Sequence, residues 1–184
     1  MYQSHDDPWG QSDDKYFSSI SRRAVCYFIS YYNLKSIVEF GCGLGRTSNF
    51  IKENTGIEIL GVDISQTSIE KSRANFPDID FEVGDVSNIN KYIDFECIFM
   101  SEITWYLLEN QVIDKLFDEM GKHMKGKYLI HNLVFYKNET QNYGKDYFTN
   151  LDEFISFCPF DLLGKTEVDM QNSNTVETSA IFRI

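Results

Sequence analysis

The chain has 184 residues, 28 acidic against 17 basic side chains and a formal net charge of -11, a size that suits one domain burying about two-thirds of the surface its unfolded form exposes. Without a Lys/Arg block it offers no face for neutralising phosphates, which disfavours nucleic acid as a partner, and no run approaches the ~20 apolar residues of a membrane span. Cys26, Cys42, Cys97 and Cys158 lie far apart without a CxxC pair, and no metal-ligand spacing joins the three histidines to carboxylates, so a reduced, cytoplasmic protein with no structural metal is expected.

Residues 1–14 are polar, with Pro8 and Gly10 among charges, and read as an irregular arm or lid that orders on ligand binding; 15–184 read as the single domain. Phe17, Ile20, Ala24, Phe28 and Tyr31 recur at helical spacing, which predicts an amphipathic helix over 16–33 packed on a sheet. Ser36 to Phe40 then read as a buried parallel strand that includes Glu39 and runs straight into Gly41-Cys42-Gly43-Leu44-Gly45. Glycines tolerate positive φ and let a ligand lie against bare backbone, so this strand is expected to end at a bound small molecule.

Spacing selects among ligands. A dinucleotide fingerprint needs G-x-G-x-x-G with the pyrophosphate at the helix N-terminus, but Arg46 occupies the third glycine's place, and Glu39 would repel a pyrophosphate. A cationic ligand suits this turn better. After a helix over 44–54, the strand 57–62 ends in Asp63, whose carboxylate can accept both hydrogen bonds of a ribose diol, as an acid about 20 residues downstream does in nucleoside-binding folds. A helix over 66–76 leads to the strand 79–83, followed by Gly84-Asp85-Val86. Each piece has a structural alternative: the glycines as a tight turn, Asp63 as the approach to a helix capped by Ser65, and Asp85 as a turn cap. Three acid-ended strands in register point to one ligand site instead.

Further on, 88–93 leaves room for about one helical turn before a strand over 94–100. Val112, Leu116 and Met120 beside Ile113 and Phe117 mark a helix over 109–123, and Gly126 suits its exit. A strand over 127–133, a polar loop over 138–150, a short helix over 151–157 and a hairpin of 165–170 with 175–184 complete the chain. Strands alternating with helices imply a parallel sheet.

With its acid, G-x-G-x-G turn and two further acid-ended strands, the chain resembles the class I S-adenosylmethionine (AdoMet) methyltransferases. The resemblance implies an α/β, Rossmann-like fold with a seven-stranded, mostly parallel sheet, an antiparallel last strand and helices on both faces. It implies AdoMet as cofactor, held by Glu39, Gly41, Cys42, Gly43, Gly45, Asp63, Ile64, Asp85, Val86 and Ser101, with Asp85 beside the adenine amino group. Asp7-Pro8-Trp9, Tyr16 and the pair Arg22-Arg23 are similar to the start of nodulation-type N-methyltransferases, which adds Trp9 to the cofactor set and an arginine for an anionic substrate or the AdoMet carboxylate.

Methyl transfer from a sulfonium is an in-line displacement that gains mainly from positioning, with acid-base help where the acceptor carries a proton. Acceptor residues belong beyond the carboxyl ends of the strands, which nominates Glu102, Tyr106 and His131 for catalysis and Trp105 as an aromatic wall. Packing roles compete for His131, Trp105 and Tyr106. The segment Ser101-Glu102-Ile103-Thr104-Trp105-Tyr106 lacks the Asn/Asp-Pro-Pro-Tyr pattern of nucleic-acid base methyltransferases, which disfavours base methylation, and the nodulation-type resemblance implies as acceptor a small polar metabolite, a sugar, amino sugar or nucleotide-linked compound, taken by a monomer or homodimer. A non-catalytic AdoMet-fold binding protein and a nicotinamide oxidoreductase are the alternatives.

Overall fold

In the computed structural model, which describes residues 19–137, 140–142 and 144–184, the apolar run ending at Phe40 forms β1 (Ser36–Phe40), buried from Ile37 onward on both faces. It pairs in parallel with β2 (Glu58–Asp63) on one side and β4 (Cys97–Ser101) on the other. Beyond β2 lies β3 (Asp80–Val83), and beyond β4 lies β5 (Tyr128–Tyr136), both parallel. β7 (Thr175–Arg183) inserts antiparallel between β5 and the edge strand β6 (Asp161–Asp169), giving the order β3-β2-β1-β4-β5-β7-β6. The chain winds outward from β1 in both directions, so the switch point, where open α/β sheets bind ligands, falls between the carboxyl ends of β1 and β4.

Period-two alternation sends successive strand residues to opposite faces, and each face has its own core. On one, Ile37, Phe99, Ile130 and Ile181 meet Val25 and Phe28 of α1 (Ile20–Tyr31), Ile51 of α2 (Arg46–Thr55) and Ile69 of α3 (Gln66–Asn75). On the other, Val38, Phe40, Ile98, Met100 and Leu129 meet Ile113, Leu116 and Met120 of α5 (Val112–His123) and Phe154 of α6 (Leu151–Phe157). No helix among the described residues is long and apolar enough to cross a membrane.

The expected topology is present, including the inserted antiparallel strand, and the differences lie at element ends. β6 begins at Asp161 and not at 165, since it pairs along nearly all of β7; at this edge Leu162 and Leu163 are both exposed, so the first residues carry no inside-outside alternation. β5 continues to Tyr136, past the expected end at 133, because β7 keeps pairing with it there. The helix expected over 109–123 is broken: Asn110 and Gln111 take positive φ, so Glu109–Gln111 is a 3-10 turn and α5 starts at Val112. A short α4 (Thr104–Leu107) precedes it, and the brief link to β4 is a 3-10 helix, Val86–Tyr92. The proposed arm over 1–14 lies outside the described residues.

Phe99, fully buried at the centre of β4, fills the α1 side of the sheet opposite Glu39 in register. Phe99→Ala is expected to cost roughly 3–5 kcal/mol of unfolding free energy in urea denaturation.

Candidate functional site

Where β1 ends, Gly41 turns the chain at φ 82°, and a Cβ there would stand 2.1 Å from Ile103 Cγ2. Only glycine combines that backbone with that approach. The turn is held by its neighbour: the Gly41 and Cys42 amides both donate to the Val62 carbonyl, at 2.9 and 3.1 Å, and the Gly43 amide donates to Asp63 Oδ2 at 3.0 Å. Asp63 Oδ1 accepts the Ser65 amide at 2.9 Å, and the Ser65 side chain caps α3 by accepting the Ser68 amide. The two roles weighed for Asp63 are therefore compatible, since each carboxylate oxygen spends one acceptor site on the main chain and keeps further capacity toward the rim. Cys42 offers only backbone, its side chain being buried beneath the turn, where burial pushes the thiol pKa up.

Glu39 is wholly buried. Its Oε2 accepts the Ser48 hydroxyl from the first turns of α2, whereas Oε1 has no hydrogen-bond partner. Burial pushes its pKa from 4.5 to about 7; Ser48, Ser101 and Arg22 pull it down and Asp63 pushes it up. An orphaned carboxylate oxygen inside a protein is costly unless a cationic or hydrogen-donating ligand completes it.

Beside this turn, Ile64 leaves β2 with 76% of its surface exposed, an apolar side chain set on the rim directly after Asp63. Asp85 is exposed and accepts the Ser87 amide through Oδ1 at 2.7 Å, capping the 3-10 helix, while Val86 buries its side chain and presents only main chain. The Gly84 amide donates to the Asp63 carbonyl, which draws the ends of β2 and β3 together.

At the end of β4, Ser101 is half-buried, and Glu102 takes φ 57°, a left-handed conformation costing a non-glycine residue about 1–3 kcal/mol. Its amide donates to the Asn132 carbonyl, and its carboxylate receives Arg22 Nη2 at 3.2 Å. Arg22, nine-tenths buried, also reaches Thr47 Oγ1 through Nε at 3.4 Å and so ties α1 to the start of α2. Of the arginine pair, only Arg22 faces the rim; Arg23 lies over the Phe50 ring on the outside. Glu177 of β7 joins this group, accepting the hydroxyls of Ser19 and Ser21 at 2.5 and 3.0 Å. Partial burial first, and Glu177 second, hold the Glu102 carboxyl above its ordinary range against the pull of Arg22.

Tyr106 is exposed on α4, within the rim segment. Trp105 packs between Phe135 and Phe148, at centroid distances of 5.6 and 5.3 Å, and is a core residue of its loop. His131 does not join the rim. Its ring is fully buried, stacked on Phe154 at 3.8 Å, with Nε2 2.6 Å from Thr104 Oγ1, on the α5–α6 side of the sheet and away from Glu39. Burial lowers its pKa from 6.5 to about 3, so the role of general base expected from its sequence position is replaced by neutral packing. Trp9 lies outside the described residues. Ser48, Asn132 and Glu177 are the residues of this neighbourhood that pattern reasoning missed; Ser48 alone carried a signal, at the start of the helix after the glycine turn.

A methyltransferase domain family model matches residues 37–127, from β1 through α5. Over that stretch, just under half of its length, the chain carries a methyltransferase domain, in keeping with the class I AdoMet-dependent methyltransferases that its motifs resemble. It is 31% identical over 72 residues to the putative methyltransferase 235L of Invertebrate iridescent virus 6, covering 35% of this chain and 27% of that one. It is also 29% identical over 109 residues to phosphoethanolamine N-methyltransferase 1 of Zea mays, covering 56% and 22%. The chain thus spans about a quarter of the length of the curated relatives it matches. In fold it is similar to N-methyltransferase NodS from Bradyrhizobium japonicum WM9 in complex with S-adenosyl-L-homocysteine, with a TM-score of 0.71 at 17% identity over 99% of this chain and 97% of that one. The residues present fit AdoMet, a cationic nucleoside, through the unpartnered Glu39 oxygen and the glycine backbone held beside Asp63.

Burial makes Glu39 a proton-linked group. The folded protein holds this proton between about pH 4.5 and 7 while the unfolded chain has lost it, so Glu39 favours folding at low pH and that contribution is lost as pH rises through about 7. The difference in stability between the parent and Glu39→Gln is expected to change on the order of 3 kcal/mol between pH 4 and 8, read from urea titrations. By NMR, the His131 ring signals are expected to stay constant between pH 5 and 8.

Proposed function

We propose that this protein is an AdoMet-dependent methyltransferase acting at O or N of a small polar metabolite, in the class of sugars, amino sugars or nucleotide-linked compounds. The observation that carries this reading is the convergence of a buried carboxylate with one oxygen bonded to Ser48 and the other unpartnered, Glu39, and a carboxylate hydrogen-bonded to the glycine turn, Asp63, at the carboxyl ends of adjacent strands β1 and β2. In it, the Gly41–Gly45 backbone and Glu39 receive the amino-acid end of the cofactor, Asp63 the ribose diol, Ile64 a face of the adenine, and Asp85 with the Val86 main chain its polar edge. Arg22, paired with Glu102, is placed to meet the carboxylate of the cofactor. Bound AdoMet would supply a sulfonium methyl for in-line displacement. This chain's own contribution is to hold donor and acceptor collinear and dry, with Ser101, Glu102 and Tyr106 on the acceptor side.

The absence of a basic block supports a small acceptor over a nucleic acid, and four free cysteines support a reducing, cytoplasmic setting. Arg46 in place of a third glycine disfavours a nicotinamide dinucleotide.

Isothermal calorimetry is expected to show binding of AdoMet and S-adenosylhomocysteine, weakened by about 1–3 kcal/mol in Asp63→Ala, because charge-assisted hydrogen bonds to the ribose are lost. Absence of binding at millimolar ligand overturns the proposal; binding without turnover across a broad metabolite panel supports a non-catalytic role.

A further inference from the structure

β4 stops at Ser101, level with Asn132, but β5 continues to Tyr136 with β7 still paired to it, so the two strands rise past the rim as a wall. Asn132 lies opposite Ser101 on one side and Ser179 on the other, and Glu177 lies opposite Val134. Alternation from Ile130 and Ile181, which sit in the α1-side core, puts Asn132, Ser179 and Glu177 on that same face; the hydroxyls of Ser19 and Ser21 at the start of α1 reach Glu177 there. Asn132 is 3% exposed and Ser179 is fully buried, yet Asn132 Oδ1 and Ser179 Oγ have no hydrogen-bond partner. Two adjacent strands each leave a buried polar atom unsatisfied at one level of one face, a cost that folding alone does not explain. Above them stand the carboxylates of Glu102 and Glu177, with Arg22 balancing one of the two charges.

We infer that this face of the β5–β7 wall is the acceptor site and that it takes an amine, with Asn132 and Ser179 completing hydrogen bonds to the acceptor and Glu177 and Glu102 drawing in its ammonium form. The inference rests on the methyltransferase reading and narrows it from O or N to N. An ammonium nitrogen has no lone pair to donate, so it first gives one proton to a carboxylate of the pair. The freed lone pair then forms the N–C bond to the sulfonium methyl as the C–S bond breaks, its electron pair remaining on sulfur as a neutral thioether, and the product leaves as a methylated ammonium. A phosphorylated or carboxylate-bearing acceptor would bring a second negative charge against Glu177 and Glu102.

The test incubates the full chain with AdoMet and, separately, ethanolamine, glucosamine, glucose, glycerol and glucose 6-phosphate, reading the gain of one methyl by mass spectrometry, with AdoMet calorimetry alongside. Methylation confined to the two amines is expected. Glu177→Gln is expected to raise the amine KM about tenfold while AdoMet affinity is unchanged. Ser179→Ala removes an unsatisfied buried hydroxyl, so its melting temperature is expected to hold or rise while the amine KM increases, a combination that a purely structural serine would not produce. With AdoMet bound, methylation of the alcohols or the sugar phosphate in preference to the amines, no methylation of either amine, or parental kinetics in both variants would falsify the amine site. A failure to bind AdoMet falls earlier, on the methyltransferase reading itself.

Discussion

The site depends on a small set of main-chain hydrogen bonds between β1's exit and β2's end, in which Gly41 and Cys42 share the Val62 carbonyl and Gly43 is held by the Asp63 carboxylate. Because β2 supplies both acceptors, the glycine turn is positioned by a neighbouring strand and not only by its own sequence. The same side chain accepts the Ser65 amide, so one carboxylate joins the glycine turn to the start of α3. Steric closeness reinforces the arrangement, since Ile103 packs onto the bare Gly41 backbone and joins the loop after β4 to the same turn.

Around that turn the sheet divides its ionisable groups by face. Glu39, Arg22, Glu102 and Glu177 gather on or above the α1 side, where Ser19, Ser21, Thr47 and Ser48 supply hydroxyls. His131 lies on the other side, stripped of water and kept neutral by Phe154 and its surroundings. For the strand residues Glu39, His131 and Glu177, periodicity decides this division, since residues one position apart in a strand point to opposite faces, whereas Arg22 is brought in by α1 and Glu102 by the loop after β4. The strained backbone of Glu102 and the unsatisfied atoms of Glu39, Asn132 and Ser179 lie toward the rim formed by the carboxyl ends of β1 and β4, β5 beside them and the amino-terminal half of antiparallel β7, while His131 Nδ1 on the other face and Gln141 Oε1 are unsatisfied as well. Costs of this kind collect where a fold is shaped for a ligand as well as for stability.

Much of the fold was legible because its signals are local. The buried runs of β1 and β2, the Val112-to-Met120 stripe of α5 and the turn residues of the final hairpin act through neighbours a few residues away. Element ends were less legible: β5 runs on past 133 through Val134, Phe135 and Tyr136, where β7 pairs with it, and β6 is an edge strand with little to bury. In the site, Glu39, Asp63, Asp85 and the glycines were visible as strand ends. Glu177 was not, since its partners Ser19 and Ser21 stand 158 and 156 residues away.

The succession of strands and helices along the chain, the acids at the strand ends and the glycine turn between them follow from the chain alone, because spacing and backbone freedom are properties of short segments. Which arginine turns inward, which face His131 occupies and which distant carboxylate joins Glu102 were decided only when strands far apart in sequence came into register, since burial and charge proximity exist only between folded neighbours.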